Sequence, residues 1–145
     1  MEKELVHIQY LDASVRRLEY VADKSDWIDL ASAFEVHLEK GAFALIHLGV
    51  AMRLPEGFEA HIVPRSSTFK NWKIIQTNSV GIVDSSYSGK DDWWKMPVYA
   101  TEKVTIPKGA RIAQFRLFKN QPKIEFQETI LSDKNRGGFG STGNF

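Results

Sequence analysis

A tight turn after a short apolar strand carries the carboxylate best placed for chemistry. Residues 80–83 combine β-branched side chains with one glycine, and the small polar residues 84–86 then close the strand. Asp84 stands where the strand gives way to the turn, so the sheet can hold its carboxylate against a cleft. Tyr87, three residues later, can form a second wall of that cleft. The same residues also fit an ordinary hairpin with a turn aspartate and a surface tyrosine.

The glycine-rich end of the chain has the composition of a phosphate lid. Its glycines expose backbone N–H groups, the hydroxyls of Ser141 and Thr142 can donate hydrogen bonds, and Arg136 offers a planar fork to phosphate oxygens. A segment of this composition cannot build a core, so residues 133–145 are expected to be mobile unless a ligand closes them. A disordered terminus without a ligand is the alternative.

Polar side chains in three other short runs could contact an anion such as phosphate. The Ser66 hydroxyl and backbone N–H can both point out of a turn towards phosphate, whereas Arg65 fits a phosphate contact and a buried ion pair equally well. Gln114 is a candidate phosphate or water ligand, and neighbouring Arg111 is more typical of a structural role. The Asp29 carboxylate could hold the waters of a phosphate-bound Mg²⁺, or could simply lie at a strand edge.

The elements that would position these residues are short strands separated by turns. Val6, Ile8 and Tyr10 alternate with polar neighbours, and residues 55–57 and 107–109 have the Pro-x-Gly sequence of turns between strands. A series of such strands predicts an all-β barrel or sandwich.

Four other segments give more specific expectations. Residues 23–26 are expected to form a loop, and residues 42–50 are apolar enough for a strand buried on both faces. Residues 67–72, after a possible serine cap, predict the one short helix. Gly81, inside a strand pattern, marks a bulge or a close approach to the backbone.

Composition limits the classes of function. A chain of 145 residues with 43% hydrophobic content predicts one globular domain. The 19 basic residues balance 18 acidic ones, so the net charge of +1 gives no basic surface for nucleic acid. No apolar run reaches the roughly 20 residues of a membrane span. The charged N-terminus lacks a signal-type apolar core, which is against secretion, and the absence of cysteine excludes disulfides and thiolate catalysis.

Five short motifs resemble those of the trimeric dUTPase family, in the same order and with similar separations over residues 29–143. The motifs lie at residues 28–31, 64–67, 78–89, 109–114 and 136–143. Trp27 and Ile28 replace the small residue and glycine that usually precede Asp-Leu, and Ser67 replaces a glycine. The spacing from Arg136 to the tail aromatic is two residues shorter than usual. The chain resembles most closely the dUTPases of bacilli and their temperate phages.

The resemblance implies a distorted jelly roll or β-barrel, with a domain over residues 1–132 and a mobile phosphate-lid tail over residues 133–145. It implies hydrolysis of dUTP to dUMP and pyrophosphate, which keeps uracil out of DNA and supplies dUMP for dTMP synthesis. Asp84 would be the general base for the attacking water, and Mg²⁺ would be the cofactor, contacted by Asp29 through water. The same resemblance implies a cytoplasmic homotrimer with shared active sites.

The resemblance also assigns the substrate contacts. Asn78 and the backbone of its strand would read uracil, because cytosine inverts two of the donors and acceptors. Tyr87 would lie under the deoxyribose and leave no room for a 2′-hydroxyl. We favour Trp93 over Phe139 as the ring that covers uracil, because the shortened tail spacing displaces Phe139; core or interface packing is the other role open to Trp93. The expected substrate-binding residues are Arg65, Ser66, Ser67, Asn78, Gly81, Val83, Tyr87, Trp93, Gln114, Arg136, Phe139, Gly140, Ser141 and Thr142.

Two other functions remain open from the sequence. A dCTP deaminase of the same fold would need a catalytic glutamate on the strand after the glycine turn, and residues 93–99 contain none. A catalytically inactive β-barrel binding module would keep the fold and lose the chemistry. The joint presence of five residues is against that second alternative: Ser66, Asp84, Gln114, Arg136 and Phe139. No nucleic-acid or membrane partner is expected.

Overall fold

The computed structural model describes residues 3–20 and 24–145, and nearly all of the regular structure in them is β-sheet. The strands are β1 (His7–Tyr10), β2 (Ile28–Ala31), β3 (Val36–Leu38), β4 (Phe43–His47), β5 (Val50–Arg53), β6 (Phe58–Pro64), β7 (Ile74–Gln76), β8 (Gly81–Val83), β9 (Lys95–Ala100), β10 (Val104–Ile106) and β11 (Arg111–Lys119). The helix α1 spans Thr68–Trp72. Residues 24–26 form no strand, as predicted, and Asp23 lies outside the described residues.

The strands pair antiparallel in small sheets. One sheet has the order β2-β11-β6-β8 and another the order β4-β9-β7, while β1 pairs with β5 and β3 with β10. The neighbours in these sheets are distant in sequence, as in a jelly roll. The prediction of an all-β fold of this type with one short helix is confirmed.

One buried cluster draws on most of the strands. Along β9 the side chains alternate, so that Met96, Val98 and Ala100 are buried while Tyr99 points outward. Trp94, just before β9, lies in the same cluster with its indole edge against Phe115, at a centroid distance of 5.1 Å. This tight packing gives the adjacent loops a rigid base.

The prediction of one strand over residues 42–50, buried on both faces, is wrong. Strand β4 ends at His47, and Gly49 turns the chain with φ +73° before β5 begins at Val50. A side chain at Gly49 would press on Val15, whose Cγ2 lies 3.0 Å from the position that a Cβ would occupy. Phe43 and Leu45 are 63% and 57% exposed, so one face of β4 is apolar but uncovered in the single chain.

The predicted helix is present, but its serine does not cap it. Ser67 occupies the N-cap position and makes no side-chain capping bond. The buried Thr68 hydroxyl instead accepts from the Arg65 backbone N–H at 2.8 Å and donates to the Ile112 carbonyl at 2.9 Å. These two bonds tie the turn that carries Arg65 and Ser66 to β11.

The chain beyond β11 adds no regular structure to the fold, although the Asn120 N–H donates to the Gly57 carbonyl at 2.9 Å. Residues 120–145 form no strand or helix and are exposed throughout. They include large apolar side chains such as Phe126 and Ile130. The division into a domain over 1–132 and a tail over 133–145 stays a prediction. Within the described residues, no helix is long and apolar enough to cross a membrane.

Candidate functional site

Asp84 follows β8 directly and stands in a turn closed by Ser86. The backbone N–H of Ser86 donates to Asp84 Oδ1 at 2.7 Å, and the Ser86 hydroxyl donates to the same oxygen. The Tyr87 N–H completes the turn with a 3.1 Å bond to the Asp84 carbonyl. The hydroxyl bond, followed by the backbone bond, lowers the pKa of the Asp84 carboxyl below its ordinary value. The exposed carboxylate is therefore ionised at neutral pH.

The turn that enters β8 is strained at a non-glycine residue. Ser79 has φ +60°, in the left-handed region, and the Val80 N–H donates to the Asn78 carbonyl at only 2.6 Å. Gly81 lies against β6, and a Cβ there would stand 3.3 Å from the Ile62 Cβ. The expected close approach at Gly81 is thus to a neighbouring strand. The turn leaves the Asn78 side chain exposed.

Tyr87 and Trp93 are joined across the loop between β8 and β9. These two strands pair with other strands and not with each other, so the hairpin that the sequence favoured after Asp84 does not form. The Tyr87 hydroxyl donates to the Trp93 carbonyl at 3.0 Å. The Trp93 indole is half-buried against His47, with ring centroids 5.4 Å apart, and His47 packs edge-on against Phe34 at 5.8 Å. The structure therefore brings Asp84, Tyr87 and Trp93 into one loop between β8 and β9, while Trp94 is a core residue.

His47 is held neutral beneath the indole. The Gly49 backbone N–H donates to His47 Nδ1 at 2.8 Å, which places the imidazole proton on Nε2. Burial, and then the nearby charge of Lys95, lower the pKa of His47. A neutral ring can keep Nδ1 as an acceptor, so the indole has a fixed support at neutral pH.

A second polar cluster forms where β2, β6 and β11 meet. Arg65 Nε lies 3.2 Å from Asp29 Oδ1, and Arg111 Nη1 lies 3.3 Å from Asp29 Oδ2. Gln114 is paired opposite Asp29 in the sheet and donates from Nε2 to the Pro64 carbonyl at 3.2 Å. Ser66 is exposed at the turn beside them. The structure thus brings together four residues predicted for the phosphate site, and it engages Arg65 in an ion pair.

The two clusters lie at opposite ends of β6. In the register of β6 with β8, Val83 faces Ala60 and Gly81 faces Ile62, so Asp84 continues towards residue 59. Arg65 follows the other end of the strand. At about 3.3 Å per residue the two groups are separated by about 20 Å along the strand.

The C-terminal tail contacts neither cluster. The bonds that its residues make lie within the tail, such as Ser141 N–H to the Gly138 carbonyl at 3.1 Å and Arg136 Nη1 to the Gly137 carbonyl at 3.1 Å. Phe139 is fully exposed with φ +52°. Arg136, Phe139, Gly140, Ser141 and Thr142 are therefore not brought to the other predicted site residues within one chain.

Comparison with known proteins identifies the family. Residues 23–143 match the dUTPase family. The chain belongs to the dUTPase family. The SPbeta prophage-derived deoxyuridine 5'-triphosphate nucleotidohydrolase YosS of Bacillus subtilis is 50% identical over 139 residues, which cover 95% of this chain and 97% of that protein. The deoxyuridine 5'-triphosphate nucleotidohydrolase of Rickettsia prowazekii is 36% identical over 129 residues, 86% of each chain. The family prediction from the five motifs is confirmed.

Solved dUTPase structures share the fold. A mutant dUTPase of Staphylococcus bacteriophage 80alpha with dUpNHpp superposes with a TM-score of 0.80 at 23% identity, over 97% of this chain and 99% of that one. A mutant dUTPase from phage phi11 of S. aureus, whose structure concerns coordination of a structural Mg(II) ion, has a TM-score of 0.74 at 18% identity over 86% and 97% of the two chains.

Three residues that contact the predicted site residues of this dUTPase-family chain, namely Ser86 at Asp84, Gln76 at Asn78 and His47 at Trp93, were missed by sequence reasoning. Ser86 follows Asp84 at the spacing of an Asx turn, a signal that could have identified it. Gln76 is a polar residue at a buried strand position, next in alternation to the apolar Ile74, which is a weaker signal. His47 is positioned by packing across distant segments, and no local pattern marks it. The roles of the predicted site residues stay predictions.

Proposed function

We propose that this chain hydrolyses dUTP to dUMP and pyrophosphate through an in-line attack of water on the α-phosphorus, with Asp84 as the general base. The sequence prediction of a dUTP-hydrolysing enzyme is supported by the family and by the activity named for its relatives. The observation that carries the mechanism is the ionised Asp84 carboxylate, held through one oxygen by Ser86. Its Oδ2 accepts no hydrogen bond from the described part of the chain, so it can orient a water.

The charge on the triphosphate requires local neutralisation, since the protein as a whole carries only +1. The exposed Ser66 turn and Gln114 would bind phosphate oxygens at the β6–β11 cluster, with Ser67 and Arg65 beside them. Arg136, Ser141, Thr142 and the backbone of Gly140 would close over the phosphates when the tail folds. Charge spreading onto the leaving pyrophosphate is stabilised by these donors.

Magnesium fits this arrangement only as an ion held mainly by the substrate. No cluster of three His, Asp or Glu side chains occurs in the described residues to bind a metal directly. Both Asp29 oxygens already face a guanidinium, but a carboxylate has about four lone-pair positions and can still accept bonds from metal-bound water. Bound Mg²⁺ would supply charge neutralisation at the phosphates. The structure of a dUTPase mutant from phage phi11 concerns coordination of a structural Mg(II) ion, which is compatible with magnesium binding by this chain.

The strand that carries Gly81 and Val83 would read the base together with Asn78. Backbone N–H and C=O groups there are fixed by the sheet, and an inverted donor or acceptor on the wrong base would be left unpaired. Tyr87 would exclude a 2′-hydroxyl, and Trp93 would cover the uracil ring.

A homotrimer with shared active sites would complete this site. Asp84 and the Ser66 turn are separated along β6, and the tail reaches neither, so one chain holds only portions of the site. The outward face of β4, β9 and β7 carries the exposed apolar side chains Phe43, Leu45, Ile75 and Tyr99. Such a face is typical of a surface that another subunit covers. We place the enzyme in the cytoplasm, where nucleotides for DNA synthesis are handled.

Measurement of the products tests the proposed reaction. Purified protein is incubated with dUTP, dCTP, dTTP or UTP, with Mg²⁺ or with a chelator, and pyrophosphate and ammonia are both measured. We expect pyrophosphate from dUTP alone, and much faster with Mg²⁺. Ammonia from dCTP would indicate the deaminase, although β9 (Lys95–Ala100) offers no carboxylate. No product from any nucleotide would indicate an inactive binding module.

A further inference from the structure

Gln76 is a buried amide directly behind the proposed uracil contact. Its side chain is only 5% exposed, at the end of β7. Gln76 Nε2 donates to the Ile62 backbone carbonyl at 2.9 Å and to Asn78 Oδ1 at 2.9 Å. Gln76 Oε1 is buried and has no hydrogen-bond partner among the described residues. An amide whose oxygen is buried without a partner contributes less to stability than a well-packed apolar side chain would. A role at its hydrogen-bonded neighbour Asn78 is therefore the better explanation for this residue.

The Ile62 carbonyl determines which way both amides face. A backbone carbonyl only accepts hydrogen bonds, so the Gln76 group that meets it must be the NH₂ and cannot be the oxygen. The same nitrogen meets Asn78, which must therefore present Oδ1 to it. The Asn78 NH₂ group is left on the opposite side, beside Gly81, where Nδ2 lies 3.6 Å from the position that a Cβ would take.

The backbone around Asn78 leaves rotation of its amide as the remaining freedom. Ser79 is fixed in the left-handed region, and the short bond from Val80 N–H to the Asn78 carbonyl holds the turn. An exposed asparagine amide can otherwise rotate by half a turn and exchange its donor for its acceptor. The hydrogen bond from Gln76 Nε2 to Asn78 Oδ1 opposes this rotation.

We propose that Gln76 is a positioning residue for base selection, which fixes Asn78 as a hydrogen-bond donor towards the position-4 edge of the pyrimidine. This inference rests on the proposed binding of uracil at Asn78. Uracil has a carbonyl oxygen at position 4 and accepts from the Asn78 NH₂, whereas cytosine has an amino group there and meets donor with donor. An asparagine that could rotate would accept from the cytosine amino group, so the fixed amide discriminates against cytosine.

Binding of dUMP and dCMP, measured by calorimetry, tests the inference independently of hydrolysis. Gln76→Met keeps the side-chain length and removes the donor. We expect the discrimination ratio, the Kd for dCMP divided by the Kd for dUMP, to fall about tenfold, as for loss of one discriminating hydrogen bond. The ratio of kcat/KM for dUTP over dCTP should fall in parallel. Ile74→Val, on the same buried face of β7, is the matched control and should leave both ratios unchanged.

A double-mutant cycle with Asn78→Ala separates positioning from a merely structural effect. If Gln76 acts through Asn78, Gln76→Met should leave the ratio unchanged once Asn78 is alanine.

Gln76→Glu provides a second variant in case Gln76→Met folds poorly, and it should lower the ratio at pH values where the carboxyl is ionised. A discrimination ratio within twofold of wild type in both Gln76 variants overturns the inference. The inference is also overturned if Gln76→Met lowers the ratio by the same factor in the Asn78→Ala protein as in the wild type. A wild-type protein that prefers dUMP but releases no pyrophosphate would refute the proposed reaction and leave this inference standing.

Discussion

Two hydrogen bonds from one neighbour stabilise the charged form of Asp84. The Ser86 hydroxyl and backbone N–H both meet Oδ1, and both stabilise the carboxylate over the neutral acid. A carboxylate with a lowered pKa is a weak proton acceptor, but it is ionised over the whole physiological pH range. In the proposed reaction its contribution would therefore be to orient a water and to attract its proton as the new bond to phosphorus forms.

Replacement of Asp84 tests that role directly. Asp84→Asn keeps the size and the Ser86 contacts on one oxygen but removes the charge, so we expect turnover of dUTP to fall at least about a hundredfold. The affinity for a non-hydrolysable dUTP analogue should stay within a few-fold of wild type, because the charge acts on the water. Turnover within threefold of wild type would exclude Asp84 as the base.

Ser86 should set the acid limit of activity. The lowered pKa keeps Asp84 ionised as the pH falls below the ordinary aspartate value, and activity that needs the carboxylate is lost only when the pH passes through the lowered pKa. Ser86→Ala removes the larger of the two causes and leaves the backbone bond. We expect the acid limb of the kcat/KM profile to move to higher pH, with little change above neutrality. Ser85→Ala, whose side chain makes no bond to Asp84, is the control; an unmoved limb in Ser86→Ala would show that another group titrates there.

The loop between β8 and β9, which carries Trp93, is better anchored than the tail, which carries the alternative ring Phe139. Its far side is anchored by Trp94 in the core, and the Tyr87 hydroxyl ties its near side to the Trp93 carbonyl. Trp93 therefore has a fixed ring position over His47 before any ligand arrives. Phe139 lies in a glycine-rich segment and would have to lose conformational entropy on closing.

Two alanine variants decide which ring covers uracil. Base stacking on an aromatic side chain contributes about 1–3 kcal/mol, so removal of the covering ring should weaken dUMP by roughly tenfold or more. We expect this loss in Trp93→Ala and not in Phe139→Ala, measured as the Kd for dUMP and for a non-hydrolysable dUTP analogue. Phe139→Ala alone weakening both ligands would show instead that the tail provides the ring.

The elements that sequence reasoning identified are those whose patterns are local. The alternation in β1, the helix at α1 and the strand before Asp84 each follow from neighbouring residues. The error over residues 42–50 arose because an apolar run reveals neither the turn at Gly49 nor which of its faces the same chain covers. The outward face of β4 has the composition of a core, and no residue of the described single chain covers it.

At the scale of the whole molecule, the proposed site residues of one chain lie in separate places. Asp84 and the Ser66 turn stand about 20 Å apart along β6, a distance that one triphosphate cannot span while contacting both groups as proposed. The tail begins beyond an exposed run that carries Phe126 and Ile130. The sequence could supply every motif, but motif order along a chain does not say which copies meet in space. The proposed homotrimer would account for the separation of Asp84, the Ser66 turn and the tail, because each could come from a different subunit.

Mixed assemblies test whether the site is shared. One chain carries Asp84→Asn, and another ends at Ser132 and so lacks Arg136 and the rest of the tail; each alone should be nearly inactive. If Asp84 and the tail of one site come from different subunits, trimers reassembled from equal amounts regain about a quarter of wild-type activity, because in that fraction of sites an intact Asp84 meets an intact tail. A chain with both changes, mixed with the Asp84→Asn chain, is the matched control and should regain none. If the first mixture also stays inactive, although size-exclusion chromatography and two affinity tags show that mixed trimers have formed, Asp84 and the tail act within one subunit. The exposed tail would then have to fold back across its own chain to reach Asp84.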